Sequence, residues 1–416
     1  MGIGVLILGI SFYSRLLKIS CIMSKFLFVS SFDLRRNTSG NIRIVSLMKS
    51  LHDKGHIVHC LFVPSNHVSD KKIYEGLMSV DRLITFPKTE IKPVEKCESI
   101  GTKKKSLLSH IRSWAVNLYT KYTVYDVYQL SLMKLTEGDL NELDDSYDYV
   151  ISSSEPRSSH KFAKKVIRIK KYNTKWILYW GDPMSNDVAS TKLFSWREAN
   201  EEKRLISISD FSLYTNPCAV NYMKRKYPEL ASKINWIPTT DYNISLYEKE
   251  HGDINKIGYF GDYNTKFRNI SPFYESCCEN SFNTVIIGSS DAPLVSTSTV
   301  KVYGRMSREE VNAKEKDCGI LIVLENISKT GECIQVPGKL YHYGLSYKYI
   351  LVITESVNIS KEYECYNRFV FVPNEKGKIT EAIYNIQSGK YSNINIKPVE
   401  DFRYETIPGL LMDIIM

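Results

Sequence analysis

The 416-residue chain has no Cys-x-x-Cys pair, no histidines at zinc spacing and no uninterrupted apolar run of the roughly 20 residues that cross a bilayer. Its nine cysteines stand at 21, 60, 97, 218, 277, 278, 318, 333 and 365. An odd, scattered set excludes a disulfide framework and suits a reducing cytoplasm. Cys60 and Cys318 sit in apolar runs, where a free thiol packs as a small hydrophobe. Residues 1–13, MGIGVLILGISFY, are apolar, but Arg15 and Lys18 follow them. An export signal carries its charge ahead of the apolar stretch, so the order argues against one. The glycines at 2, 4 and 9 miss the dinucleotide fingerprint, because Ile7 occupies the place of its third glycine. Asp-x-Asp, G-x-x-x-x-G-K-[ST], G-x-S-x-G and H-E-x-x-H are also missing.

What is present is ordinary globular composition, with 43% hydrophobic and 24% charged residues. That is enough to fill two cores at about 150 residues per domain. An excess of 55 Lys and Arg over 46 Asp and Glu gives +9, which suits an anionic ligand or surface without choosing between them. The first strand that fits an α/β domain, FLFVSSF, follows Met23-Ser24-Lys25. Residues 1–22 are therefore expected to be a dispensable extension.

Strand and helix signals alternate from there. Phe26–Ser30 is apolar, Ile44, Leu47, Met48 and Leu51 share a helical face, Gly55 stops that helix, and IVHCLFV at 57–63 is a second strand. Residues 64–105 read as polar and irregular, ending in Lys103-Lys104-Lys105, and 106–135 as one long helix rich in aromatics. Strands are expected at 148–152, 176–180, 211–215 and 234–237, with helices at 161–171 and 198–208. A polar stretch at 239–255 separates this domain (23–245) from a second (250–400). There KIGYFG, TVIIG, KVYG, GILIVL, YILVI and RFVFV alternate with helices, one over 337–346. A last helix falls within 401–416. The fold class is α/β, with two Rossmann-like domains facing each other across a cleft.

Ligands in such sheets sit beyond the carboxyl ends of the strands, which singles out four loops. Thr38-Ser39-Gly40-Asn41 opens a helix, where Gly40 allows an anion close to free amides or simply makes the turn that Ser39 caps. Gly261-Asp262-Tyr263-Asn264-Thr265-Lys266-Phe267-Arg268 places two cations, Lys266 and Arg268, just past a strand. Such cations can clamp a diphosphate, although loop cations are ordinarily just solvated. Pro337-Gly338-Lys339-Leu340-Tyr341-His342 starts a helix with Lys339 and His342 on one face. Trp180-Gly181-Asp182-Pro183 ends a strand in a carboxylate that either orients a hydroxyl or makes an Asx turn.

In order and spacing, five segments resemble retaining glycosyltransferase family four (group 1) and its relatives in bacterial surface-polysaccharide synthesis. They are Gly55-His56-Ile57-Val58, WILYWGDP, Tyr227-Pro228 through Ile237-Pro238, GYFGDYNTKFRN and VPGKLYHYGLSYKYILVI. The resemblance covers Phe26 to about Gly389. It implies the two-Rossmann architecture called GT-B and transfer of a sugar from a nucleoside diphosphate, without metal or cofactor and with retention of configuration. The acceptor would be a lipid-linked saccharide in capsule, O-antigen or exopolysaccharide synthesis. By the same resemblance Lys266 and Arg268 face the diphosphate, and Gly261, Gly338, Lys339 and His342 bind the donor. Gly40 faces the donor from the other domain, and Asp182 lies near the acceptor. The family's glutamate pair is replaced by Ile334 and His342, with Glu332 a nearby substitute.

The basic, aromatic segment 103–134 suits an anionic membrane, and a peripheral place at the inner face of the plasma membrane, or its tyrosines pack into the core. No nucleic-acid module is present. The rival readings are a nucleotide-sugar epimerase of the same architecture and an inactive, transferase-like binding protein.

Overall fold

A computed structural model describes residues 23–36, 38–65, 71–88, 107–186, 194–242, 250–265, 267–327 and 331–416. The proposed extension 1–22, the lysines 103–105 and Lys266 lie outside these. The first domain runs β1 (Lys25–Ser30), α1 (Ser39–Asp53), β2 (Ile57–Phe62), α2 (Lys71–Leu77), β3 (Arg82–Thr85), α3 (Leu107–Thr123) and β4 (Tyr149–Ser153). It continues with α4 (Ser158–Lys170), β5 (Lys175–Tyr179), α5 (Ser195–Ile208), β6 (Phe211–Tyr214), α6 (Pro217–Lys226) and β7 (Ile234–Trp236). Its seven strands are parallel in the order β3-β2-β1-β4-β5-β6-β7.

The second domain runs β8 (Asp253–Phe260), α7 (Ser271–Glu279), β9 (Asn283–Ile287), β10 (Val300–Tyr303), α8 (Arg308–Asp317) and β11 (Cys318–Leu324). Then come α9 (Lys339–Gly344), β12 (Tyr349–Thr354), α10 (Asn358–Tyr363), β13 (Val370–Pro373) and α11 (Lys376–Gln387). Its six strands are parallel in the order β10-β9-β8-β11-β12-β13. Continuous apolar runs such as GILIVL are buried along their whole length because helices cover both faces of a parallel sheet. Strand order reverses between β1 and β4 and again between β8 and β11, the positions where a crevice opens at the strand ends.

The last helix, α12 (Ile407–Ile415), returns to the first domain. Ile407, Leu411, Met412 and Ile415 join the core around Val45, Met48 and Phe26, and Lys175 Nζ donates to the carbonyl of Ile415 at 3.0 Å. The domains also meet through the chain just before α9. There Ile334 enters the first domain's core, Cys333 packs with Cys218, and Glu332 pairs with Arg225 at 2.6 Å.

Several elements differ from expectation. The stretch read as irregular contains α2 and β3, whose seven and four residues are too short for a clear period. The long helix over 106–135 breaks at Val124, which has φ 59°, into α3 and a 3-10 segment, Val127–Lys134. Asp126 draws the chain out of the helix by accepting from the Tyr128 amide and from the Ser158 amide and hydroxyl. Helix α6 has no expected counterpart, although Asn216-Pro217 supplies its cap and first turn. The 337–346 helix is shortened to α9, and β8 begins inside the polar stretch 239–255.

Under β4 and β5 lies fully buried His160, its ring 4.3 Å from that of Trp180 and its Nδ1 2.8 Å from Ser152 Oγ. Burial lowers its pKa from 6.5 to about 3. The unfolded chain then binds the extra proton between those values, so stability is full above about pH 6.5 and falls with acidification by up to about 1.4 kcal/mol per pH unit. Denaturant unfolding of His160→Gln between pH 4 and 7 should show a shallower acid slope than the parent; an identical slope would rule this out.

Candidate active site

Two clusters form at the two points of strand reversal. In the first domain, the chain leaving β4 reads Ser154-Glu155-Pro156-Arg157, and Glu155 adopts φ 70°, a left-handed conformation that costs a non-glycine residue of order 1 kcal/mol. Its carboxylate lies against two glycines, one in the first turn of α1 and one in the loop after β5. A Cβ on Gly40 would stand 3.1 Å from Glu155 Oε2, and one on Gly181 would stand 2.5 Å from Oε1 and 2.8 Å from Arg43 Nη2. Gly40, the second residue of α1, which Thr38 caps in place of Ser39, thus leaves room for Glu155 rather than making a turn. Arg43, one turn into α1, lies over the Tyr179 ring at 5.5 Å and pairs with Glu155 at 3.7 Å. Its buried Nε and Nη2 have no hydrogen-bond acceptor among the described residues.

Beside this cluster is a cavity of about 380 Å³ at the ends of β4 and β5, lined among others by Tyr125, Asp126, Glu155, Arg157, Trp180 and Asp182. Its walls are held from behind. Ser154 Oγ accepts from the Gly181 amide at 2.9 Å, and Thr215 Oγ1 donates to the Gly181 carbonyl at 2.8 Å. Arg157 donates to Glu198 at 2.8 Å and to the Met184 carbonyl at 2.9 Å. Fully buried Glu202 accepts from the Met184 amide at 2.5 Å and the Ser185 hydroxyl at 2.7 Å. Asp182 therefore stands on a loop fixed on both sides, the arrangement a group that orients a substrate hydroxyl needs.

In the second domain, the Gly261 amide donates to Ile287, and a Cβ on Gly288 would fall 1.9 Å from the Gly261 carbonyl oxygen. The ends of β8 and β9 are pressed together there. Asp262 accepts from the Ser289 amide at 3.0 Å and from Arg305 at 2.8 Å. Burial opposes its charge, but these donors hold the carboxyl below the ordinary range. Arg268 donates through Nε to Asn326 Oδ1 at 2.9 Å and through Nη1 to the Asp262 carbonyl at 3.3 Å. It thereby ties the loop after β8 to the loop after β11. Both acceptors are neutral, so the guanidinium keeps its net charge at the crevice.

The remaining candidates separate. Lys339 Nζ lies 3.4 Å from buried Glu315 and 3.2 Å from the Tyr343 hydroxyl, so its charge is shared with α8. His342 is half-buried, 5.8 Å from the Tyr343 ring. Glu332 is turned to Arg225 of the first domain rather than toward α9. At Gly338 a Cβ would meet nothing within 4 Å, leaving the backbone open on that side. Arg43 stands on the helix that the Thr38–Asn41 loop opens, whereas Glu155, Arg157 and Asn326 escape sequence reasoning; only the Glu-Pro step just after a strand could have marked the first. Among the described residues no three His, Cys, Asp or Glu side chains are grouped to hold a metal ion.

No family model matches the chain, and no curated protein matches it in sequence. Solved structures do. HepE from Anabaena, in complex with UDP-glucose, superposes with a TM-score of 0.54 at 10% identity over 94% of this chain and 97% of that one. The fold is GT-B. Sucrose-phosphate synthase from Thermosynechococcus elongatus matches with a TM-score of 0.54 at 11% identity, covering 94% and 96%. A Listeria monocytogenes protein provisionally named a UDP-N-acetylglucosamine 2-epimerase matches with a TM-score of 0.54 at 9% identity, covering 94% and 95%. The GT-B architecture accounts for the two parallel sheets and their strand-end loops.

Proposed function

We propose that the chain is a glycosyltransferase that moves a sugar from a nucleoside diphosphate to a hydroxyl of a lipid-linked saccharide, in the assembly of a capsule, O-antigen or exopolysaccharide. The second domain binds the donor, with Arg268 and Lys266 on the diphosphate and Gly261, Gly338 and His342 around it. Lys339 acts there only if it leaves Glu315. The first domain supplies Gly40 and Arg43 toward the sugar, and the cavity lined by Glu155 and Asp182 takes the acceptor. That cavity is the observation that carries the reading. An epimerase works on one substrate, whereas a chamber of this size at the strand ends, walled by carboxylates, Arg157 and Trp180, suits a second one.

In this reading the bond from the anomeric carbon to the diphosphate breaks as the acceptor oxygen bonds from the same face, and its proton passes to the departing phosphate oxygen. Configuration is retained. The protein's part is positive charge on the leaving group and orientation of the acceptor hydroxyl, with no metal or cofactor. Glu155 and Asp182 do the orienting. Glu155→Gln should lower turnover about tenfold or more, with donor binding within about twofold of the parent. The test of the function is incubation with nucleotide sugars and membrane-extracted saccharide lipids, following release of the nucleoside diphosphate and the anomeric proton of the product. Acceptor-dependent release with retention is expected. A free 2-epimeric sugar nucleotide would establish the epimerase instead.

A further inference from the structure

Helix α3 is amphipathic the wrong way round for a soluble domain. Trp114, Leu118 and Tyr122 recur at intervals of four, with Tyr119 beside them, so the four share a face. That face points to solvent, with exposures of 66%, 41%, 52% and 41% for Trp114, Leu118, Tyr122 and Tyr119. None of the described side chains from Trp114 to Thr123 is buried. Thr120, behind this face, and Lys121, at its edge, line the cavity.

The exposed face continues onto α5. Arg197 lies over the Tyr122 ring at 4.0 Å, Phe194 meets the same ring edge-on at 6.0 Å, and neighbouring Trp196 is 61% exposed. Leu130 and Met133 of the 3-10 segment are exposed as well.

We infer that this face is a membrane-docking surface and that the cavity beside it receives the head group of an acceptor whose lipid stays in the bilayer. Three observations select a lipid surface over other occupants. Tryptophan and tyrosine dominate the patch, the residue types that settle at a bilayer's polar boundary. Helix α3 carries no Asp or Glu, and Arg197 and Lys121 flank the aromatics. The carboxylates next to the patch are already neutralised, Glu198 by Arg157 and Glu201 by Arg204, which suits anionic head groups. Finally, one helix borders both the apolar face and the cavity, so a lipid-linked hydroxyl reaches Asp182 and Glu155 without leaving the interface. Depth of insertion would be that of an interfacial helix, since among the described residues no helix is long and apolar enough to cross a membrane.

The inference rests on the transferase reading only for the acceptor; the docking itself is separable. The experiment is co-sedimentation of the full chain with vesicles of phosphatidylcholine alone and mixed with phosphatidylglycerol, at low and high salt. The double variant Trp114→Ser, Tyr122→Ser is run in parallel, and protection by a nucleotide sugar against thermal unfolding is measured on both proteins. The account expects binding to the mixed vesicles that salt weakens, on the order of tenfold weaker binding by the variant, and equal donor protection. Absence of vesicle binding at low salt, or equal binding by the variant, would overturn the docking surface. So would a concentration-dependent dimer that the variant dissolves, since a second copy would then cover the face. Loss of donor protection in the parent would instead count against the donor site and leave the docking result standing.

Discussion

Arg268→Ala is expected to lower turnover at least about tenfold, toward the roughly 10²–10³-fold lost when one contact to a developing anion is removed. The guanidinium is held by Asn326 Oδ1 and the Asp262 carbonyl, two neutral oxygens that fix its direction and leave its charge for the leaving diphosphate. The nearby carboxylate, Asp262, is satisfied by Arg305 and the Ser289 amide. Because charge on the diphosphate grows as the glycosidic bond breaks, the loss should fall more on kcat than on KM. Arg268→Lys keeps the charge and loses the fork that spans both loops, so partial activity is expected. Steady-state kinetics of the two variants check this, and unchanged rates for Arg268→Ala would remove it from the site. Lys266→Ala should behave in the same sense.

Gly288→Ala is expected to abolish donor binding. Its Cβ would stand 1.9 Å from the Gly261 carbonyl oxygen and 3.1 Å from the Asp262 amide. Both contacts are backbone at the end of β8, so relief cannot come from a rotating side chain. The strand end must move, carrying the Gly261–Arg268 loop with it. Overpacking of this kind costs about 1–3 kcal/mol, a melting shift of several degrees, and the displaced loop would carry Arg268 out of its place against Asn326. Gly304→Ala is the control, since a Cβ there meets nothing within 4 Å. Calorimetry and donor titration should separate the two, and a Gly288→Ala protein that binds donor normally would refute the packed β8–β9 corner.

The fold was largely legible because a strand buried on both faces reads as an unbroken apolar run, and GILIVL and YILVI are such runs. Helix α6 and strand β3 were not, since four or ten residues at a sheet's margin carry too little period. Within the candidate site, Gly261, Arg268 and Asp182 stood out from their loops after strands, and Gly40 from its place at a helix start. Glu155 could not, because its carboxylate is set by Gly40 and Gly181, brought to it by two other parts of the chain. The spacing of Lys339 and His342 correctly put them on one helix. Only packing across 24 residues of sequence places Glu315 against Lys339.

The central claim is a nucleoside-diphosphate sugar bound at the strand ends of the second domain. Thermal unfolding of the full chain with UDP-, GDP- and dTDP-sugars tests it most directly. At a hundredfold excess over the dissociation constant, binding adds about 2.7 kcal/mol, so at least one donor should raise the melting point clearly, and Arg268→Ala should blunt the rise. If every nucleotide sugar leaves the melting point unchanged, the donor site, and with it the transferase, is contradicted.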